Sequence, residues 1–203
     1  MTIKIYGHPH SSAGRTYWTL EEVNQPYERV PLSMKDGEHR SEEFLKINPN
    51  GKVPALIDGD YTIWDSSAID HYLAKKYKPE LLGETPEEEG QVMQWCFWSL
   101  TEVQPPLIAA FIQKVFVPEE RRKQDLIEES IEKSKKYLKI LDDSLKGREY
   151  LATDKFTLAD ISAGSVINIL SALEFPLSPY PEINRWMINL SKREAFKRVA
   201  EIK

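Results

Sequence analysis

At 203 residues the chain is long enough to bury a substantial core and to form one or two compact domains. Lysine and arginine total 27 against 32 acids, a net charge of −5, and no stretch interleaves basic with aromatic residues, which argues against a nucleic-acid partner. Cys96 is the only cysteine, so an internal disulfide is excluded; no Cys, His and acidic cluster has metal-ligand spacing, and no apolar run reaches membrane-spanning length or forms a signal core, so a cytoplasmic protein without a metal is expected.

Ile3 and Ile5 before the turn residues Gly7 and Pro9 predict a first strand, and Ala13 to Val23 a helix around Tyr17, Leu20 and Val23. Residues 27–32 read as a second strand, and Ser41 to Ile47 as a short helix with Phe44, Leu45 and Ile47 inward. The turn Asn48-Pro49-Asn50-Gly51 follows. Val53 to Ile57 and Tyr61 to Ile63 flank Asp58-Gly59-Asp60, the signature of a tight antiparallel hairpin. A third helix starts near Asp65, carries Ile69, Tyr72, Leu73 and Tyr77 at helical spacing, and ends before Pro79. The order so far is βαβαββα.

The segment up to Glu89 is rich in proline, glycine and acids and reads as a linker, after which strand signals stop. Val92 to Val117 resembles one long helix, with a kink or break expected at Pro105-Pro106. Trp95, Phe97 and Trp98 in that helix read as core, with Cys96 among them as a small buried hydrophobe. Ile127, Ile131, Leu138, Leu141 and Leu145 form the apolar stripe of a further helix. Thr157-Leu158-Ala159-Asp160 has capping-box spacing ahead of Ile161 to Leu173, which is apolar or small nearly all round and is expected to be the buried central helix. Ile183, Trp186 and Leu190, then Phe196 and Val199, supply the last two helices.

Several short motifs, in this order, carry a resemblance. They are Tyr6-Gly7-His8-Pro9 with Ser11 and Arg15, Gly37-Glu38-His39, Phe44-Leu45-Lys46-Ile47-Asn48-Pro49, Gly51-Lys52-Val53-Pro54, Asp65-Ser66 and Thr157-Leu158-Ala159-Asp160. Together they resemble the glutathione transferase superfamily, in its serine-type, phi- or theta-like bacterial branch, along the whole chain. The resemblance implies an α/β plus all-α architecture: a thioredoxin-like glutathione-binding domain over 1–78, a linker over 79–89, and an all-helical bundle domain over 90–203. It also implies glutathione as cosubstrate, a small hydrophobic electrophile as second substrate, and a homodimer.

By the same resemblance Ser11 donates to the glutathione thiolate at the entrance to the first helix, where the helix end also favours an anion. Ser12 is the rival donor, and plain helix capping is the alternative use of either serine. Val53-Pro54 is expected to be cis and to offer Val53 N–H and C=O to the cysteinyl backbone like an added strand. Asp65 and Ser66 are expected at the γ-glutamyl end, with Asp65 standing where the family has Glu or Gln and therefore one methylene short. His39 and Lys52 are expected at the glycyl carboxylate, and Thr157 and Asp160 as a structural capping box. Trp98, Phe111 and Phe116 are candidates for the electrophile's surroundings. Isomerase or dehalogenase chemistry on the same fold, or a non-catalytic dimerisation module, stays open from residues alone.

Overall fold

The computed structural model describes residues 2–202. The chain divides into two compact units: one runs to Leu82 and takes back the segment from Arg193 onward, and the other is Gly83–Lys192.

In the first unit β1 (Ile3–Tyr6) pairs in parallel with β2 (Tyr27–Val30) and antiparallel with β3 (Ala55–Asp58), which pairs antiparallel with β4 (Tyr61–Trp64). The strand order is β2-β1-β3-β4. Helices α1 (Ala13–Glu22), α2 (Glu42–Ile47) and α3 (Ser66–Tyr77) complete the βαβαββα order. The period of two along β1 separates its faces. Ile3 and Ile5 join Tyr17 and Leu20 of α1, Leu56 of β3, and Ile69 and Leu73 of α3 in one buried cluster, while Tyr6 meets Phe44 of α2 at 5.7 Å between ring centroids. β2 ends at Val30 rather than at residue 32, because Pro31 has no N–H to extend the ladder.

Two expected boundaries differ. The division between the units falls within the expected linker 79–89, but the segment is structured: Pro79–Leu82 forms a 3₁₀ turn with Leu81 and Leu82 buried, and α4 (Pro86–Trp98) starts behind the Thr85 cap, whose hydroxyl accepts from Glu88 N–H at 3.2 Å. The last helix, α10 (Glu194–Ala200), belongs with the first unit and not with 90–203. Its contacts fix it there. Phe196 packs edge-to-face on Trp18 at 4.9 Å, a geometry worth about 0.5 to 1.5 kcal/mol beyond area burial. Arg193 grips both carboxylate oxygens of Glu22 at 2.6 and 2.8 Å, and Arg198 donates to Glu21.

The second unit is built of helices joined by turns and loops, with no strand among the described residues. The kink or break expected at Pro105-Pro106 takes the form of a π-helical turn (Ser99–Val103) between α4 and α5 (Gln104–Phe111), and the helical path runs on into a second π-helical turn (Ile112–Phe116). The prolines fall in the first turn of α5, where missing donors matter least, and the wider π turn just before them accommodates the lost bonds. Cys96 is buried as expected, but Phe97 points outward at 55% exposure, since neighbours on one helix cannot all face the core. On α6 (Gln124–Ser144) the expected stripe is inward at Leu138 and Leu141, with Leu145 just beyond.

The central helix is realised as α7 (Leu158–Ile167) and α8 (Ile169–Ala172), with only Ser165 of α7 not buried. α9 (Pro181–Ser191) starts on the Asp142 carboxylate, which accepts from Glu182 and Ile183 N–H at 2.9 and 3.0 Å. No helix among the described residues is long and apolar enough to cross a membrane.

Candidate active site

Strand register brings three chain segments to one end of the sheet. Tyr6 is opposite Ala55, and Ala55 is opposite Trp64. The chain leaving β1 at Gly7, entering β3 from Pro54 and leaving β4 at Asp65 therefore meets at that end. The peptide bond Val53-Pro54 is cis. A Cβ on Gly7, at φ 128°, would sit 3.0 Å from Val53 Cβ and 3.1 Å from Ala13 Cβ, so only glycine lets the turn approach this closely. The Gly7 carbonyl is held by Tyr17 Oη at 2.8 Å; burial raises that phenol above its ordinary range, consistent with a neutral donor.

Ser11 and Ser12 are both exposed at the entrance to α1, and each hydroxyl has one proton to give. Ser11 Oγ donates to the His8 carbonyl at 2.6 Å and accepts from Ala13 N–H at 3.2 Å; Ser12 Oγ donates to the Val53 carbonyl at 3.1 Å. The two serines thus divide the site: one closes its own turn and the other ties the turn to the proline loop. Gly14 makes the turn possible, since a Cβ there would lie 2.4 Å from the Pro9 carbonyl oxygen.

Asp65 takes φ 75° and caps α3 with its own carboxylate, which accepts from Ser67 and Ala68 N–H at 3.0 and 3.2 Å. Ser66 follows, buried in the first turn. His39 lies in a 3₁₀ turn (Glu38–Arg40), and its Nδ1 is buried with no hydrogen-bond partner among the described residues. That turn adjoins the loop of Lys52, because a Cβ on Gly51 would sit 3.0 Å from the His39 carbonyl oxygen. Lys52 is exposed. Sequence reasoning passed over Asn48 as a site organiser. It is buried, donates to the Lys52 carbonyl at 2.6 Å and accepts from Asn50 N–H at 3.0 Å, thereby shaping the loop that delivers Lys52 and Val53. Its signals were the Asn48-Pro49-Asn50-Gly51 turn and its place in the Phe44 to Pro49 motif.

In the other unit Thr157 and Asp160 form the expected capping box, and Asp160 does more. It accepts from Thr157 N–H at 3.0 Å, Leu151 N–H at 2.9 Å and Trp186 Nε1 at 2.9 Å. Burial pushes its carboxyl up to about 6 against these four opposing donors, the Thr157 hydroxyl included. Phe111 and Phe116 meet edge-to-face at 5.7 Å, and Phe116 is 69% exposed beside exposed Ile112 and Val115. No group of three or more His, Cys, Asp or Glu fit to hold a metal occurs among the described residues.

Residues 1–75 match the family model of the glutathione S-transferase N-terminal domain, and residues 105–194 that of the C-terminal domain. The chain is 38% identical to glutathione S-transferase 4 of Zea mays over 205 residues, covering 98% of this chain and 92% of the maize protein. Among solved structures it is similar to a glutathione S-transferase I bound with lactoylglutathione, at TM-score 0.93 and 35% identity, with all of both chains covered. A maize glutathione S-transferase I in complex with an atrazine glutathione conjugate superposes at TM-score 0.92 and 35% identity, covering 100% of this chain and 98% of that one. With both halves matched and a curated relative aligned along nearly its whole length, the chain belongs to the glutathione S-transferase family.

Proposed function

We propose that this protein is a glutathione transferase of the serine-type, phi- or theta-like branch, in which Ser11 stabilises the glutathione thiolate. The observation that carries the reading is the meeting of the α1 entrance, the cis Val53-Pro54 turn and the α3 N-terminus at one end of the sheet. A helix end, a hydroxyl and an unpaired stretch of backbone together suit a peptide thiol.

A free thiol ionises near pH 8.5, and lowering that by about two units takes roughly 2.7 kcal/mol of preference for the anion. One hydroxyl donor and the N–H groups opening α1 are of the right size to supply it. The Ser11 hydroxyl would exchange the His8 carbonyl for the sulfur, while Val53 N–H and C=O pair with the cysteinyl backbone beside Pro54. Ser66 and the first turn of α3 suit the γ-glutamyl carboxylate. Asp65 spends its carboxylate on its own helix and is placed to act on the γ-glutamyl amine by charge more than by contact. His39, with an unused buried nitrogen, and Lys52 suit the glycyl carboxylate. The thiolate then attacks an electrophilic carbon, the new S–C bond replacing the bond to a leaving group such as halide.

One observation favours Ser12 as a second reading: its hydroxyl already lies against Val53, the residue proposed to hold the cysteinyl backbone. A homodimer and a cytoplasmic location complete the proposal. Retention on immobilised glutathione, followed by turnover of aryl halides and organic peroxides, tests it. Binding with no turnover of any electrophile would reject the enzymatic reading.

A further inference from the structure

Behind the proposed site lies a buried carboxylate that the mechanism above does not use. Asp70, on α3, is 5% exposed, and Arg15, on α1, is 6% exposed. The two helices pack together, and the charged groups facing Asp70 are the Arg15 guanidinium from α1 and the Asp65 carboxylate from its own helix; the Thr16 and Thr19 hydroxyls of α1 are its polar neighbours. Asp70 Oδ1 has no hydrogen-bond partner among the described residues. Burial pushes the carboxyl up to about 7, with Arg15 opposing and Asp65 reinforcing the rise. A carboxyl buried between two helices with one oxygen unpartnered among the described residues is not explained by packing.

Its position gives it something to act on. Arg15 is the third residue of α1 and Asp70 the fifth of α3, so they lie about 3 and 6 Å of rise from the first residues of the two helices whose entrances form the proposed glutathione site. Buried charges at that range are weakly screened. Arg15 alone would stabilise any anion at the α1 entrance and make a thiol there more acidic.

We propose that Asp70 tunes the thiol: by offsetting Arg15 between α1 and α3, it keeps the bound sulfur from ionising so readily that it loses nucleophilicity. A thiolate's attacking power falls as its basicity falls, and the best compromise ionises near ambient pH. Asp70 therefore acts through the field and not by contact, as a positioning residue whose removal makes the thiol more acidic. The inference rests on the glutathione site proposed above.

Ultraviolet titration of the bound thiolate, performed on the full-length protein, separates the two. In Asp70→Asn the ionisation constant of bound glutathione should rise about three- to tenfold, since one negative charge near the sulfur is gone. The curve should also sharpen, because a neighbouring acid no longer titrates alongside the thiol. Arg15→Gln should move the constant the other way, and the double variant should return it to within about twofold of wild type. A merely structural role for Asp70 predicts the opposite sign, since a loosened site binds the thiolate less well. A lowered wild-type midpoint that Asp70→Asn leaves unmoved or raises overturns the inference alone. A wild-type midpoint equal to that of free glutathione overturns the site and the inference together.

Discussion

The Ser12 hydroxyl donates to the Val53 carbonyl at 3.1 Å, across 41 residues of sequence, and so joins the first helix to the cis-proline turn. That bond makes the two walls of the proposed cysteinyl subsite one body. Gly7 and Gly14 permit it, the first by letting Val53 approach β1 and the second by leaving room for the Pro9 carbonyl.

Gly14→Ala is the least conspicuous way to disturb this arrangement. A methyl 2.4 Å from a backbone oxygen must displace the 8–12 turn, while the helix itself gains from alanine. Conjugation should fall at least tenfold with glutathione affinity weakened, whereas the circular dichroism spectrum stays that of the wild type. Unchanged turnover would show that the turn is not tied to the chemistry.

Ser66→Ala addresses binding without activation. Leaving the γ-glutamyl carboxylate short of one donor in a buried position should weaken glutathione by about 1 to 3 kcal/mol in calorimetry. Wild-type affinity would remove Ser66 from the site.

Asp160→Ala tests the frame of the helical unit. An ordinary cap loses about 0.5 to 2 kcal/mol, but here the Leu151 and Thr157 amides and the Trp186 indole lose their acceptor together. A cost of about 3 to 5 kcal/mol in denaturant unfolding is expected. A loss below 1 kcal/mol would mean that water replaces the carboxylate.

Asp70 and Asp160 also set a pH dependence with an unusual sign. Both carboxyls are higher in the folded chain than the 3.8 of an ordinary aspartate, Asp70 at about 7 and Asp160 at about 6. Between these limits the native state holds more protons than the unfolded state, so stability from this source is fully present below about pH 4 and is lost as pH rises through 6 and 7. Asp70→Asn should therefore melt higher than wild type at pH 8, with the gap closing toward pH 5. A gap that widens on acidification would contradict the assignment.

Much of this was readable in advance because it is local. The Asp58-Gly59-Asp60 hairpin, the Thr157 to Asp160 box and the Val53-Pro54 turn each depend on residues within a few positions of one another, and each appears where expected. What escaped was long-range or depended on a competition between neighbours. α10 returns to the first unit because Trp18, Glu21 and Glu22, some 170 residues earlier, offer better partners than solvent does. The proline pair left kink and break both open, and a π turn just before it is the form the interruption takes.

The most direct test is the ionisation of the glutathione thiol in the binary complex, followed by thiolate absorbance in the wild type, Ser11→Ala and Ser12→Ala. A wild-type midpoint about two units below that of free glutathione, lifted by at least one unit in Ser11→Ala and by less in Ser12→Ala, is the predicted result. A midpoint that neither substitution moves would contradict hydroxyl stabilisation of the sulfur at the mouth of α1.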